Sequence, residues 1–222
     1  MDVGIIGGTG PLGSALGARL AEAGRTVVLG SRNPERAQES ASRLGDRWPQ
    51  LADGLVGGGN ELAARSDLVV VAVPWESVVP VAAEFAEALA AKTVVCVANA
   101  LVRTGSEFAA LAPPRGSVAQ LLQSTLPRSM VVAALHHVPA RDLAELGRPV
   151  HADTMVASDF QSSAGVVMEL LGSIDGLRAL YVGSLAAAGA LEAMTAVLLN
   201  VNLRYRARSS LRVVGIREDD GQ

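Results

Sequence analysis

Glycine supplies the first chemistry in this chain. Gly8-Thr9-Gly10-Pro11-Leu12-Gly13 has glycine at its first, third and sixth positions. It follows the run Val3-Gly4-Ile5-Ile6 and precedes a segment in which Leu12, Leu16 and Leu20 recur every four residues. In a strand–loop–helix unit this spacing has a physical purpose. Gly8 permits a tight turn, Gly10 lets backbone approach a pyrophosphate, and Gly13 allows close helix–strand packing. The helix N-terminus offers unpaired N–H groups to anionic oxygens. The loop predicts a dinucleotide held by Gly8, Thr9, Gly10, Pro11, Leu12 and Gly13.

About 20 residues beyond such a loop, NAD-specific chains place an acid that accepts the ribose 2′-hydroxyl. Here the sequence reads Gly30-Ser31-Arg32, with Arg36 one helical turn further. A hydroxyl and two guanidinium groups suit a 2′-phosphate, through charge-assisted and often bidentate hydrogen bonds, so the expected cofactor is NADP(H). The alternative, solvated arginines on a surface helix, is disfavoured because positive charge at a helix N-terminus opposes the dipole unless an anion compensates.

Three further groups fall after strand-like runs, where ligands bind in a doubly wound sheet. Val73-Pro74-Trp75-Glu76 is expected to border the cofactor, with core packing the alternative for Trp75. Asn99 either orients the nicotinamide end or is an ordinary turn asparagine. In His136-His137, adjacent extended residues point to opposite faces, so His136 is expected to line the pocket or else to be a satisfied structural histidine. No catalytic acid or base is assigned.

The elements that must position these residues alternate between short β-branched runs and alanine-rich amphipathic segments, the pattern of βαβ units on a parallel sheet. Strands are expected at 3–6, 26–29, 54–56, 68–73, 93–97 and 130–134. Helices are expected from Leu12 to a stop at Gly24, and from an Asn33-Pro34 cap to about Leu44. The fold class is thus α/β, a Rossmann-type doubly wound sheet spanning 1–138. Beyond Pro139 the pattern shortens: a strand at 150–157, a helix at 161–171 capped by Ser158 with Gln161 and stopped near Gly172, a strand at 178–182, and a long helix at about 184–204. This gives a smaller lobe at 139–217 and a disordered tail at 218–222.

The chain has 222 residues, 50% hydrophobic and 18% charged, with a net charge of -3, which gives no global attraction to nucleic acid or anionic membrane. No stretch holds about 20 uninterrupted apolar residues, and the first strand begins without a charged leader, so the expectation is a cytoplasmic protein. Cys96, the sole cysteine, lies in an apolar run and is read as structural; no metal cluster is expected. Leu185, Leu191, Met194, Val197, Leu198 and Val201 load the last helix with more apolar surface than a thin lobe can cover, so a homodimer is expected. Arg204, Arg206, Arg208 and Arg212 cluster at its end.

With these motifs in order, the chain resembles the coenzyme F420-dependent NADP oxidoreductases, also called NADPH-dependent F420 reductases. The resemblance is carried by Gly7-Gly8-Thr9-Gly10 with Leu12-Gly13, Gly30-Ser31-Arg32 with Arg36, Val73-Pro74-Trp75-Glu76, Ala134-Leu135-His136 leading to Pro139-Ala140, and Ile174-Asp175-Gly176-Leu177-Arg178. It implies hydride transfer between NADP(H) and the deazaflavin of F420, stacked in a cleft between the lobes. It places the deazaflavin near Leu135, His136, Val138, Pro139 and Ala140 and near residues 183–191. Family members carry polar or basic side chains at the start of the last helix, where this chain has Ala186-Ala187-Ala188-Gly189-Ala190. The anionic F420 tail must therefore find positive charge elsewhere. The arginines at 204–212 are one candidate, and simple pairing with the helix dipole is the other explanation for them. Two other functions compete: an NADP-dependent imine or keto-acid reductase, which needs a longer all-helical region, and an NADP sensor without turnover.

Overall fold

The computed structural model describes residues 1–216. In chain order they form β1 (Val3–Ile6), α1 (Pro11–Glu22), β2 (Val27–Ser31), α2 (Pro34–Arg47), β3 (Leu55–Gly59), α3 (Asn60–Ala63), β4 (Leu68–Val71), α4 (Trp75–Glu84), α5 (Ala86–Leu89), β5 (Thr93–Cys96), β6 (Leu101–Thr104), β7 (Glu107–Ala110), α6 (Val118–Thr125), β8 (Met130–Ala133), α7 (Ala140–Leu143), β9 (Ala152–Val156), α8 (Gln161–Gly172), β10 (Leu177–Tyr181) and α9 (Ala188–Tyr205).

Six strands make a parallel sheet in the order β3-β2-β1-β4-β5-β8. The order reverses between β1 and β4, which opens a crevice at the carboxyl ends of those strands. Alternate residues of the central strands feed two cores, one per face. Ile5, Val70, Val95 and Val132 pack with Leu16 and Leu20 of α1 and Val167 and Leu171 of α8. Ile6, Val69, Val71 and Val94 pack with Val78 of α4 and Leu122 of α6 on the other face. Burial on both sides explains why these strands read as unbroken apolar runs.

The smaller sheet, β9 with β10, is also parallel and joins the main sheet through an antiparallel bridge between Ala133 and Ala157. Asp153, fully buried on β9, forms a bidentate pair with Arg178 of β10 and accepts the Val213 N–H, and Arg178 donates to the Val213 carbonyl, so this pair holds the segment at Val213 against the sheet.

Local stop and start signals worked where backbone demanded them. Gly24 ends α1 at φ +78°, and the Asn33 side chain caps α2 by accepting the Arg36 N–H. The expected Ser158–Gln161 capping box does not form. Ser158 instead donates to the Val131 carbonyl and accepts from the Phe160 N–H, and Phe160 takes the cap position of α8. The antiparallel hairpin β6–β7, turning at Gly105 with φ +60°, was not expected. The expected tail at 218–222 lies outside the described residues.

Candidate functional site

The glycine loop leaves β1 at the crevice. Its tight turn is made by Gly7, at φ +78°, where the sequence pointed to Gly8. A Cβ on Gly7 would lie 2.6 Å from the Ala72 carbonyl oxygen and 2.8 Å from Val73, which seats the loop against the end of β4. Gly8 packs on β2 instead: its N–H donates to the Gly30 carbonyl, and a Cβ would meet the Leu29 backbone at 2.8 Å. Gly13 faces Gly7 and Gly8 at the same distance, the close helix–strand contact expected of it. Gly10 is different, because a Cβ there would meet only the Gly7 oxygen, at 3.4 Å, leaving its outward side open. Gly10 is also the N-cap of α1, which has no side-chain cap and no acid in its first turn. Thr9, Pro11 and Leu12 complete the rim of this donor-rich, uncapped helix end.

Buried Asn60, which was not singled out from sequence, accepts the Gly7 N–H and holds the turn. Ser31 closes β2 nearly buried, its hydroxyl accepting the Asn33 N–H. Arg32 and Arg36 are exposed, and neither guanidinium has a partner among the described residues. Two unpaired cations beside a helix end that already carries positive dipole is an arrangement that attracts an anion.

Across the crevice, Pro74 caps α4 and Trp75 is its first residue. Its ring packs half-buried on the second core, and its indole N–H is buried without a partner. The ends of β5 and β8 are tied to each other by Asn99. Its amide donates to the His136 carbonyl at 3.1 Å, and its oxygen meets His136 Nδ1 at 3.0 Å. Thr195, on α9, donates to the same carbonyl at 2.8 Å.

Leu135 sits at φ +64°, so the two histidines occupy a turn instead of an extended strand, and both are buried. Burial pushes the His136 imidazole down to about 3, helped by its neighbour His137, so the ring is neutral at physiological pH and no acid–base role fits it. Leu135 and Val138 pack into the first core, which leaves Pro139 and Ala140 as the half-exposed surface of this segment. Behind it, buried Arg19 of α1 donates to the carbonyls of Asp142, Leu143, Glu145 and Arg148. One guanidinium thus joins the helix of the glycine loop to the wall that follows His136. Its only sequence signal was an arginine on the apolar face between Leu16 and Leu20.

At the far end of α9, Arg204 pairs with Glu107, and Arg208 pairs with Glu145 and Asp142. These ion pairs already answer the charge on two arginines of the cluster. The span Leu185–Tyr205 is long and apolar enough to cross a membrane by length and composition, with 22% of its apolar window buried, although Glu192, Thr195 and Asn200 interrupt it and hydrogen-bond to the rest of the fold. Among the described residues no cluster of His, Cys, Asp and Glu could hold a metal ion.

Comparison with known proteins bears on this geometry. A family model described as NADP oxidoreductase coenzyme F420-dependent matches residues 2–100. The F420-dependent NADP reductase of Methanocaldococcus jannaschii is 32% identical, over 95% of this chain and 96% of that protein. That of Methanothermobacter thermautotrophicus is also 32% identical, over 99% and 97%. Among solved structures, a candidate F420-dependent NADP reductase from Arthrobacter sp. FB24 has a TM-score of 0.78 at 23% identity, covering 93% of this chain and 95% of that one; this is a likeness of fold.

Proposed function

The chain belongs to the F420-dependent NADP reductase family, and from that premise we propose that it is an oxidoreductase moving a hydride between NADP(H) and the deazaflavin ring of coenzyme F420. The observation that carries the cofactor choice is the pair of unpaired guanidinium groups, Arg32 and Arg36, beside Ser31 at the end of β2. The uncapped start of α1 and the outward-open Gly10 fit the pyrophosphate of NADP(H). When bound, the two carriers supply the hydride donor and acceptor, a transfer that needs closeness, alignment and exclusion of water more than an acid or nucleophile. The neutral, buried His136 agrees with that requirement.

In this arrangement Gly8, Thr9, Gly10, Pro11, Leu12 and Gly13 hold the pyrophosphate, and Ser31, Arg32 and Arg36 hold the 2′-phosphate. Val73, Pro74 and Trp75 border the cofactor, and Asn99 fixes the His136 turn. Leu135, His136 and Val138 support the deazaflavin side from beneath, with Pro139 and Ala140 at its surface. Residues 1–138 form the NADP side and 139–217 the F420 side. The protein works in the cytoplasm without nucleic acid or membrane. It is a homodimer through the exposed face of α9, where Met194, Val197, Leu203 and Tyr205 face solvent. Light scattering at micromolar concentration checks the dimer, and a monomer whose activity survives dilution rules it out.

The region after Pro139 contains β9 and β10 as well as helices, which disfavours the all-helical imine-reductase architecture. The function is tested anaerobically by following deazaflavin absorbance with NADPH. Turnover supports the proposal. Reduction of an imine or keto acid in place of F420 contradicts it, as does tight NADPH binding with no acceptor reduced.

A further inference from the structure

α9 is attached to the rest of the molecule in an unusual way. Of its 18 residues, only Ala188, Glu192 and Ala196 are buried, a single stripe four residues apart made of two methyl groups and a carboxylate. Leu191 adds a half-buried contact with the second core, and the polar contacts along the same side complete the fixing of the helix's rotation and register. Glu192, 3% exposed, accepts the Val118 N–H on Oε2 at 3.0 Å and the Ala119 N–H on Oε1 at 3.1 Å, taking two of the orphan donors at the start of α6. One turn on, Thr195 donates to the His136 carbonyl. Further along, the Asn200 amide pairs with both the N–H and the carbonyl of Phe108 on β7.

We propose that Glu192 is a positioning residue for the deazaflavin side of the cleft. Its carboxylate clamps α9 to the N-terminus of α6, and so sets Thr195 against the His136 turn. This rests on the function proposed above and extends it to a residue that need not touch either carrier.

Burial of the carboxylate pushes its titration up to about 7, while the Val118 and Ala119 N–H groups pull it down. A buried ion that the surroundings resist forming is poor stabiliser but a good locator, because both of its oxygens are answered by fixed backbone donors. A protonated carboxyl keeps a lone pair on its hydroxyl oxygen and sheds the cost of a buried charge, so the raised titration means that the clamped state is favoured as pH falls through 7. No other group switches in this range nearby. α6 carries no titratable side chain, and α9 has none besides Glu192 before Arg204. On β5, the buried Cys96 thiol is pushed up to about 12 and stays neutral. His136 at the end of β8 is neutral as well.

The test compares the full-length parent with Glu192→Gln in two readouts. The first needs no turnover: amide hydrogen exchange at Val118 and Ala119 in the ligand-free protein. At pH 8 the parent should protect both amides, and the variant should exchange at least one of them more than tenfold faster. Parent protection should also rise as pH drops from 8 to 6. The second is the split between the two substrates. Glu192→Gln should raise the KM for F420 about tenfold at pH 8 with the KM for NADPH within twofold. The parent's KM for F420 should fall toward pH 6, while the variant's stays level. Unchanged amide protection in the variant overturns the clamp. Lost protection with an unchanged KM for F420, or equal rises in both KM values, reduces Glu192 to a structural residue. Should the variant fail to fold, a parent whose amide protection or KM for F420 is flat from pH 6 to 8 overturns the proposal equally. If the parent reduces no F420 at all, the functional proposal fails, and amide exchange alone decides the clamp.

Discussion

At the ends of β1 and β2 two guanidinium groups face outward, whereas at the ends of β5 and β8 Asn99, the His136 turn and Thr195 bond one another inward, with His136 Nε2 and both ring nitrogens of His137 buried without partners among the described residues. The first region offers an uncapped helix end and two guanidinium groups without partners among the described residues, Arg32 and Arg36. The second binds Asn99, His136 and Thr195 into one network and neutralises the His136 imidazole by burial. Open charge recognises a charged ligand and contributes little to folding. A closed network does the reverse, defining the shape of a surface against which a flat ring can lie. Substitutions on the two sides should therefore separate affinity from stability.

The largest effect belongs to the turn that anchors the open region. Gly7→Ala must hold a Cβ at φ +78° and within 2.6 Å of the Ala72 carbonyl oxygen. Backbone strain and overpacking each cost roughly 1–3 kcal/mol, so thermal unfolding should show a loss of about 3 kcal/mol or more together with loss of NADPH binding. A variant as stable as the parent would mean that the loop relaxes freely and that the open region has no rigid anchor at Gly7.

Next is Arg32→Ala. Losing a charge-assisted contact should raise the KM for NADPH more than about tenfold and erode the preference over NADH, with no change in melting temperature. If the NADPH-to-NADH ratio of kcat/KM is unchanged, the 2′-phosphate pocket is misplaced.

Asn99→Ala should behave in the opposite sense. It strips a donor from the His136 carbonyl and a partner from Nδ1, a cost of about 1–3 kcal/mol in stability, while the KM for NADPH changes less than in Arg32→Ala. Calorimetry and steady-state kinetics on the same preparations compare the two directly.

The smallest effect is a slope. The Glu192 carboxyl titrates near 7 in the folded protein against an ordinary value of 4.5, so the folded state holds a proton between these values that the unfolded chain has released. Its contribution to stability is present below about 4.5 and is lost as pH rises toward and through 7. The difference in melting temperature between Glu192→Gln and the parent should shift in favour of the variant across that window. A constant difference would remove Glu192 as a titrating group.

The open region was legible in the sequence because its signals are local. A glycine spacing, a missing acid and two arginines one turn apart lie within 29 residues of each other, counted from Gly8 to Arg36. The parallel strands were legible too, since burial on both faces leaves uninterrupted β-branched runs, as in Leu68–Val71. The closed region was not. Asn99 and His136 are 37 residues apart and Thr195 is 59 further on, and nothing local in an asparagine or a threonine announces a partner so distant. The β6–β7 hairpin escaped for another reason. Val102, Arg103, Glu107, Ala109 and Ala110 are all exposed, so neither strand alternates, and only the Gly105-Ser106 pair marked a two-residue turn.

Direct hydride transfer across the cleft is tested most plainly with NADPH deuterated at C4, prepared separately in its two stereoisomers and mixed anaerobically with F420 in ordinary water. Expected is oxidation of NADPH with deuterium retained on C5 of the reduced deazaflavin from one stereoisomer and not from the other. No oxidation of NADPH, or deuterium lost to water from both, would contradict it.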